Sequence, residues 1–347
     1  MLGRIVVVAL MSMVLAAPAS AEYDEAAFFA KAHPSYTIPT PGPHALPAVI
    51  GEVQIYRVRK GDTLMDLARL YGLGYNEIVE ANPEIDPWVP PVGATVLLPT
   101  QWILPCCSYS GVIVNIPEMR LFYYQPGPEG MTIVHTYPVG LGRDDWRTPA
   151  GSFRIAGKTV NPTWNIPASI REEHIRERGD YRTSIPGGDP DNPLGKYRFE
   201  LTMPMYRIHG TNIPWGVGMQ VSHGCIRLYP EDIERLFPLV PVGAPGQFTY
   251  QTVKLGSKDN AVWAEVHEDI YGYTPAIFQE AENLAAKRGV GERVDRGLLE
   301  RGLQDAGGMP FRISGTQQPS PDAATPMASR DLADGAADTL GCQARAD

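Results

Sequence analysis

The chain has 347 residues, 44% of them hydrophobic, and a formal net charge of −9. That is about two to three domains' worth of chain, apolar enough for real cores. The acidic balance excludes a general nucleic-acid binder, and no basic stripe suggests docking on anionic lipid.

Arg4 precedes an apolar run from Ile5 to Ala17, then Pro18 and Ala19-Ser20-Ala21. This pattern predicts a secretory signal peptide over 1–21, cleaved after Ala21. The run is shorter than the roughly 20 residues of a membrane span. No later segment is apolar enough to cross a membrane, so no transmembrane segment is expected after cleavage. Secretion puts Cys106, Cys107, Cys225 and Cys342 where cysteines tend to pair. Their spacing is not that of a disulfide framework, and the pairing stays open.

Residues 22–51 read as a Pro-rich leader or linker, as in Pro39-Thr40-Pro41-Gly42-Pro43. Residues 52–100 read as a small β-α-α-β module. A strand near Val53–Val58 ends at Gly61-Asp62, and Asp62 or Thr63 can cap a helix. Leu64, Leu67, Ala68 and Tyr71 then fall on one helical face. A short helix from Asn76 to Ala81 breaks at Asn82-Pro83, and Thr95–Leu98 returns as a strand. Residues 110–252 are strand-rich, with candidates at Val112–Ile116, Leu121–Tyr123, Ile133–Val139 and Phe153–Ile155. A helix is expected at Glu231–Phe237, and a substrate loop or lid at 161–191. Residues 253–313 predict a C-terminal α+β extension with strands at Thr252–Leu255 and Ala261–Val266 and a helix near Thr274–Lys287. Residues 314–347 have the composition of a disordered tail.

Two of the seven histidines lie close to one cysteine, in Ile208-His209-Gly210-Thr211 and Val221-Ser222-His223-Gly224-Cys225-Ile226-Arg227. A nucleophilic cysteine needs an imidazole to take its proton, a group to orient that imidazole, and donors for the developing oxyanion. Gly224 lets the backbone come close to a substrate. Zinc uses the same residue types, but there is no H-E-x-x-H and no second nearby cysteine, so no metal is expected. A buried inert cysteine is the other alternative, and the polar neighbours of Cys225 weigh against it.

Tyr56-Arg57-Val58, Lys60-Gly61-Asp62-Thr63-Leu64, Asn82-Pro83 and Gly93 through Pro99 resemble a LysM domain, which implies binding to peptidoglycan glycan. His209-Gly210-Thr211 with Ser222-His223-Gly224-Cys225 resembles the motif of L,D-transpeptidases with a YkuD-type catalytic domain. Thr148-Pro149-Ala150-Gly151, Asn192-Pro193-Leu194-Gly195 and Leu228-Tyr229-Pro230-Glu231-Asp232 extend the likeness over most of 110–252. The order of parts looks like the Gram-negative periplasmic branch. Arg227 stands where many members carry Asn, and Cys106-Cys107 is not part of the family motif.

The resemblance implies a mainly β catalytic domain, sandwich- or barrel-like, in a periplasmic enzyme without cofactor. It makes Cys225 the nucleophile and His209 the base oriented by the Gly210 carbonyl, with His223 lining the site. Backbone N–H groups around Gly224 and Cys225 would form the oxyanion hole. Ser222 supports the site, and Arg227 and Trp215 would contact substrate. The partners implied are peptidoglycan stem peptides and an amine acceptor on a second stem or an outer-membrane lipoprotein. Water as acceptor would make it an L,D-carboxypeptidase or other hydrolase instead. A non-catalytic wall-binding protein is the rival from another class. A low-pKa thiolate at Cys225 is expected, and with it a periplasmic thiol reductase that keeps it reduced.

Overall fold

The computed structural model describes residues 35–42, 45–305 and 307–315. The expected signal peptide, the start of the leader and the tail from 316, with Cys342, lie outside the described residues. Among the described residues no helix is long and apolar enough to cross a membrane.

The small module forms as expected. Strands Gln54–Arg57 and Thr95–Leu98 pair antiparallel around helices Leu64–Leu70 and Tyr75–Glu80. Thr63 caps the first helix by accepting from the Asp66 N–H at 3.0 Å. Asn82 closes the module: its amide donates to the carbonyls of Ile78 and Leu97 and accepts from the Leu97 N–H.

The second unit is built on a nine-stranded sheet. In spatial order its strands are Tyr36–Pro39, Met131–Pro138, Arg120–Pro126, Gly111–Asn115, Pro245–Thr249, Gly151–Val160, Tyr197–Leu201, Arg207–His209 and Ile226–Arg227. A register shift between Ile155 and Gly157 bends the longest strand. The outermost strand, Tyr36–Pro39, falls in the stretch expected to be leader. It pairs with Met131–Val134, and Val49–Gly51 pairs with Gln101–Ile103. The described part of the leader is therefore built into the fold, a correction to its reading as a linker.

Period-two alternation gives this sheet two buried faces. Val112, Val114, Leu121 and Tyr123 pack inward with Phe153, Phe199, Ile208 and Ile226. Their neighbours Ile113, Phe122, Tyr124 and Val134 point the other way and share a core with Leu64, Leu67, Ile78, Val96 and Trp102 of the module and its exit strand. A buried polar knot fixes the contact. Arg120, fully buried, makes a two-pronged ion pair with Glu77 (2.9 and 2.6 Å) and lies 4.1 Å over the Trp102 ring. Trp102 Nε1 also donates to Glu77, at 2.8 Å. At the edge, Arg69 pairs with Glu231.

The C-terminal extension packs helices Ile277–Lys287 and Arg296–Asp305 on strands Val253–Lys258 and Ala261–Val266. At its seam Lys254 Nζ lies 2.8 Å from Glu118 and 2.9 Å from Glu265. Glu118, Glu265 and His267 form the one group of three possible metal ligands among the described residues. The Lys254 ammonium already supplies the positive charge between the two carboxylates.

Candidate active site

The end of the main sheet carries the site. Ile208 pairs with Ile226 and His209 with Arg227, in parallel. Both isoleucines are buried in the core. Alternation therefore turns Arg207, His209, Cys225 and Arg227 to the opposite face. The antiparallel partner strand sets Arg198 against His209 and Glu200 against Arg207, on the same face.

His209 is buried, and its Nδ1 lies 2.6 Å from the Gly210 carbonyl. A carbonyl only accepts, so Nδ1 carries the proton and Nε2 is left as an acceptor. Burial, then the positive charge of Arg227, lowers the pKa of His209 to about 3, against a weaker upward pull from Gly210. Burial raises the Cys225 thiol, while the Arg207 N–H and the cations of Arg207, Arg227 and Arg198 oppose that rise. The thiol points at the Met205 carbonyl, 3.8 Å away. Burial thus works against the low-pKa thiolate expected from the sequence, while the three arginines work for it. Proton transfer must accompany attack.

The turn before Cys225 is held from inside. Ser222 Oγ donates to the Cys225 carbonyl at 2.6 Å and accepts from the Gly224 N–H at 3.1 Å. The Gly224 N–H is thereby engaged. The Cys225 N–H has no hydrogen-bond partner among the described residues. Gly224 has φ +99°, and a Cβ there would lie 2.9 Å from the Tyr206 ring, so only glycine fits.

The charges on this face are uneven. Glu200 takes hydrogen bonds from Arg198 and Arg207, each from Nε at 2.8 Å. Arg227 has no acidic partner among the described residues, and its buried Nε has no hydrogen bond. Burial lowers its pKa. It is the one arginine of this face without an acidic partner among the described residues.

His223 turns elsewhere. Its Nε2 donates to Glu173 at 2.9 Å, and its ring meets Trp146 edge-on. Glu173 lies on helix Ala168–Arg178, inside the expected lid. Two hydrogen bonds from Arg143 and one from His223 hold its carboxyl near 2. Trp215, 59% exposed on the turn Pro214–Gly216, is not a core residue. That turn runs on to Val217 and Gly218, whose carbonyls accept from the N–H groups of Tyr75 and Asn76, at the start of the module's second helix.

Known proteins bear on this geometry. The L,D-transpeptidase catalytic-domain family (YkuD) matches residues 110–248, and the LysM domain family matches 56–99. The probable L,D-transpeptidase YbiS of Escherichia coli K12 is 34% identical over 291 residues, covering 81% of this chain and 92% of the relative. The chain belongs to the L,D-transpeptidase family. The probable L,D-transpeptidase ErfK/SrfK of Salmonella typhimurium LT2 is also 34% identical, over 81% of this chain and 91% of its own. The solved catalytic domain of the Enterococcus faecium L,D-transpeptidase, acylated by ertapenem, is 21% identical over 41% of this chain and 98% of that one, with TM-score 0.31.

In this L,D-transpeptidase the fold brings Cys225, His209, Gly210, Gly224, Ser222 and Arg227 to one place. His223 pairs instead with Glu173 of the helix Ala168–Arg178, and Trp215 is exposed on its turn. Sequence reading missed Arg198, Glu200 and Arg207. The signal was present as alternation in Arg198-Phe199-Glu200-Leu201 and Arg207-Ile208-His209, too short and too charged to stand out as strands. Glu173 lay in a segment read as a loop.

Proposed function

We propose that the enzyme joins peptidoglycan stems through a thioester on Cys225. Cys225 Sγ attacks the carbonyl at the L-centre of diaminopimelate in a tetrapeptide stem, and its proton passes to His209 Nε2. The Cys225 N–H donates to the oxyanion. The tetrahedral intermediate collapses, the C–N bond breaks, and His209 returns the proton to the amine of D-Ala as it leaves. An amine then attacks the thioester, His209 takes its proton, and the thiolate departs and is reprotonated. The acceptor is the side-chain amine of another diaminopimelate, giving a 3→3 cross-link, or a lysine of an outer-membrane lipoprotein.

Arg227 pairs with a carboxylate of the stem, and Trp215 walls the groove. His223 holds the lid through Glu173. The LysM module binds glycan, and its 86–92 loop exposes Trp88, Val89 and Val92 for that contact. The signal peptide delivers the chain to the periplasm. There Cys225 is kept reduced, with a periplasmic thiol reductase as partner. Cys225 is a free thiol here, while Cys106 is disulfide-bonded and Cys107 is half-buried, with its thiol pushed up to about 12 by desolvation.

The observation that carries this reading is the shared sheet face of Cys225, a neutral His209 with Nε2 open, and an unpaired Arg227. The test is mass spectrometry of the products from purified disaccharide-tetrapeptide. Dimers joined 3→3, with D-Ala released, are expected. Disaccharide-tripeptide as the sole product would make water the acceptor and the enzyme an L,D-carboxypeptidase.

A further inference from the structure

The peptide between Gly224 and Cys225 is braced from the far side by a hydrogen bond from Thr148, which is itself held in a closed ring of three. Thr148 Oγ1 donates to the Gly224 carbonyl at 3.0 Å and accepts from the Gly142 N–H at 3.2 Å. The Tyr271 hydroxyl donates to the Gly142 carbonyl at 2.9 Å and accepts from the Thr148 N–H at 3.2 Å. Each hydroxyl has its one proton and one acceptor site engaged in these four bonds, so both are fixed in direction. Thr148 and Tyr271 are both buried. Tyr271 belongs to the C-terminal extension. Its own carbonyl accepts from Arg147 at 3.0 Å, and its N–H donates to the Tyr250 hydroxyl at 2.9 Å.

The consequence lies in the peptide plane. In a trans peptide the C=O and N–H point in opposite directions, and the described residues contain no cis bond. Anchoring the Gly224 oxygen to Thr148 therefore aims the Cys225 N–H away from that wall. This is the N–H without a partner. A peptide that follows a glycine at φ +99° can rotate at little steric cost. Ser222 holds the peptide units before and after it, through the Gly224 N–H and the Cys225 carbonyl, and leaves the middle one to Thr148.

We propose that Thr148, held by Tyr271, is the positioning residue for the oxyanion-binding N–H of Cys225, and that one role of the C-terminal extension is to supply this brace. The proposal rests on Cys225 being the acylated nucleophile. Thr148→Val keeps the shape and removes the hydroxyl; Thr148→Ser keeps the hydroxyl; Tyr271→Phe removes only the phenol oxygen. In the full-length chain, kcat and KM with disaccharide-tetrapeptide are compared with the rate at which iodoacetamide alkylates Cys225. Alkylation displaces iodide at a saturated carbon and develops no oxyanion, so it reads thiol reactivity and access alone.

Thr148→Val should lower kcat about 10- to 100-fold, below the full loss of an oxyanion donor. KM and the alkylation rate should stay within about twofold of wild type. Thr148→Ser should recover most of kcat, and Tyr271→Phe should fall between wild type and Thr148→Val. A Thr148→Val enzyme with wild-type kcat, a parallel loss of alkylation, or no recovery by serine would overturn the proposal. Should the valine chain not fold, Tyr271→Phe still decides, since wild-type kcat there breaks the brace. If the wild-type chain releases no D-Ala from the tetrapeptide, the reading of the site has failed rather than the brace.

Discussion

Burial of His209 as a neutral imidazole sets the pH behaviour of the site. Its pKa falls to about 3 in the folded chain, whereas a solvated histidine titrates near ~6.5. Between those values the unfolded chain binds the proton and the folded one does not, so this residue makes stability fall as pH drops below ~6.5. The imidazole itself stays neutral, and so able to accept a proton, over the same range. kcat/KM should therefore show no His209 inflection near pH 6.5, and a histidine-like acid limb there would contradict the buried base. His209→Ala should cost at least ~10²-fold in acylation rate, the usual scale for a general base. His223→Ala, which removes the lid contact with Glu173, should cost less; the reverse order would exchange their roles. Arg227 gives the opposite sign for stability and activity. Arg227 is half-buried, and its buried Nε has no partner, which is destabilising. Arg227→Met should hold or raise the thermal midpoint while raising KM for the stem, and unchanged KM would remove Arg227 from substrate binding. Cys225, His209 and Gly224 were legible in the sequence because their chemistry demands a tight local motif. Arg198, Glu200 and Arg207 were not, because strand pairing alone brings them to the site.

At the scale of elements, legibility followed apolar periodicity. The helix Leu64–Leu70 and the strands Gly111–Asn115 and Ala261–Val266 bury regular apolar positions and were foreseen. The helix Ala168–Arg178 buries only Ile170 and His174 and has no apolar stripe to betray it. Its end is conventional, with Gly179 at φ +66° in the left-handed region. The strand Tyr36–Pro39 was hidden by the prolines around it. The contact between the module and the sheet turns on Arg120 and Glu77. Glu77→Gln would leave a buried guanidinium without its counter-charge. That change should cost about 3–5 kcal/mol, the scale of a broken buried ion pair, read as a shift in the urea midpoint. A loss below ~1 kcal/mol would mean that the contact opens to water.

Across the whole molecule, the LysM module is not a tethered accessory. It completes a core with Ile113, Phe122, Tyr124 and Val134 of the catalytic sheet, and its second helix holds the turn that follows Trp215. Deleting residues 52–99 would expose that face and release the turn. The deletion should therefore impair acylation of Cys225 as well as binding to cell-wall sacculi. Full acylation of the truncated chain would show that the module only tethers. The account's central claim is acylation of Cys225 by a stem peptide, and intact-protein mass spectrometry after incubation with disaccharide-tetrapeptide tests it most directly. The wild-type chain should gain the mass of the stem less D-Ala, mapped to Cys225, and Cys225→Ala should gain nothing. An adduct of equal yield on Cys225→Ala, or D-Ala released by it at the wild-type rate, would contradict the account.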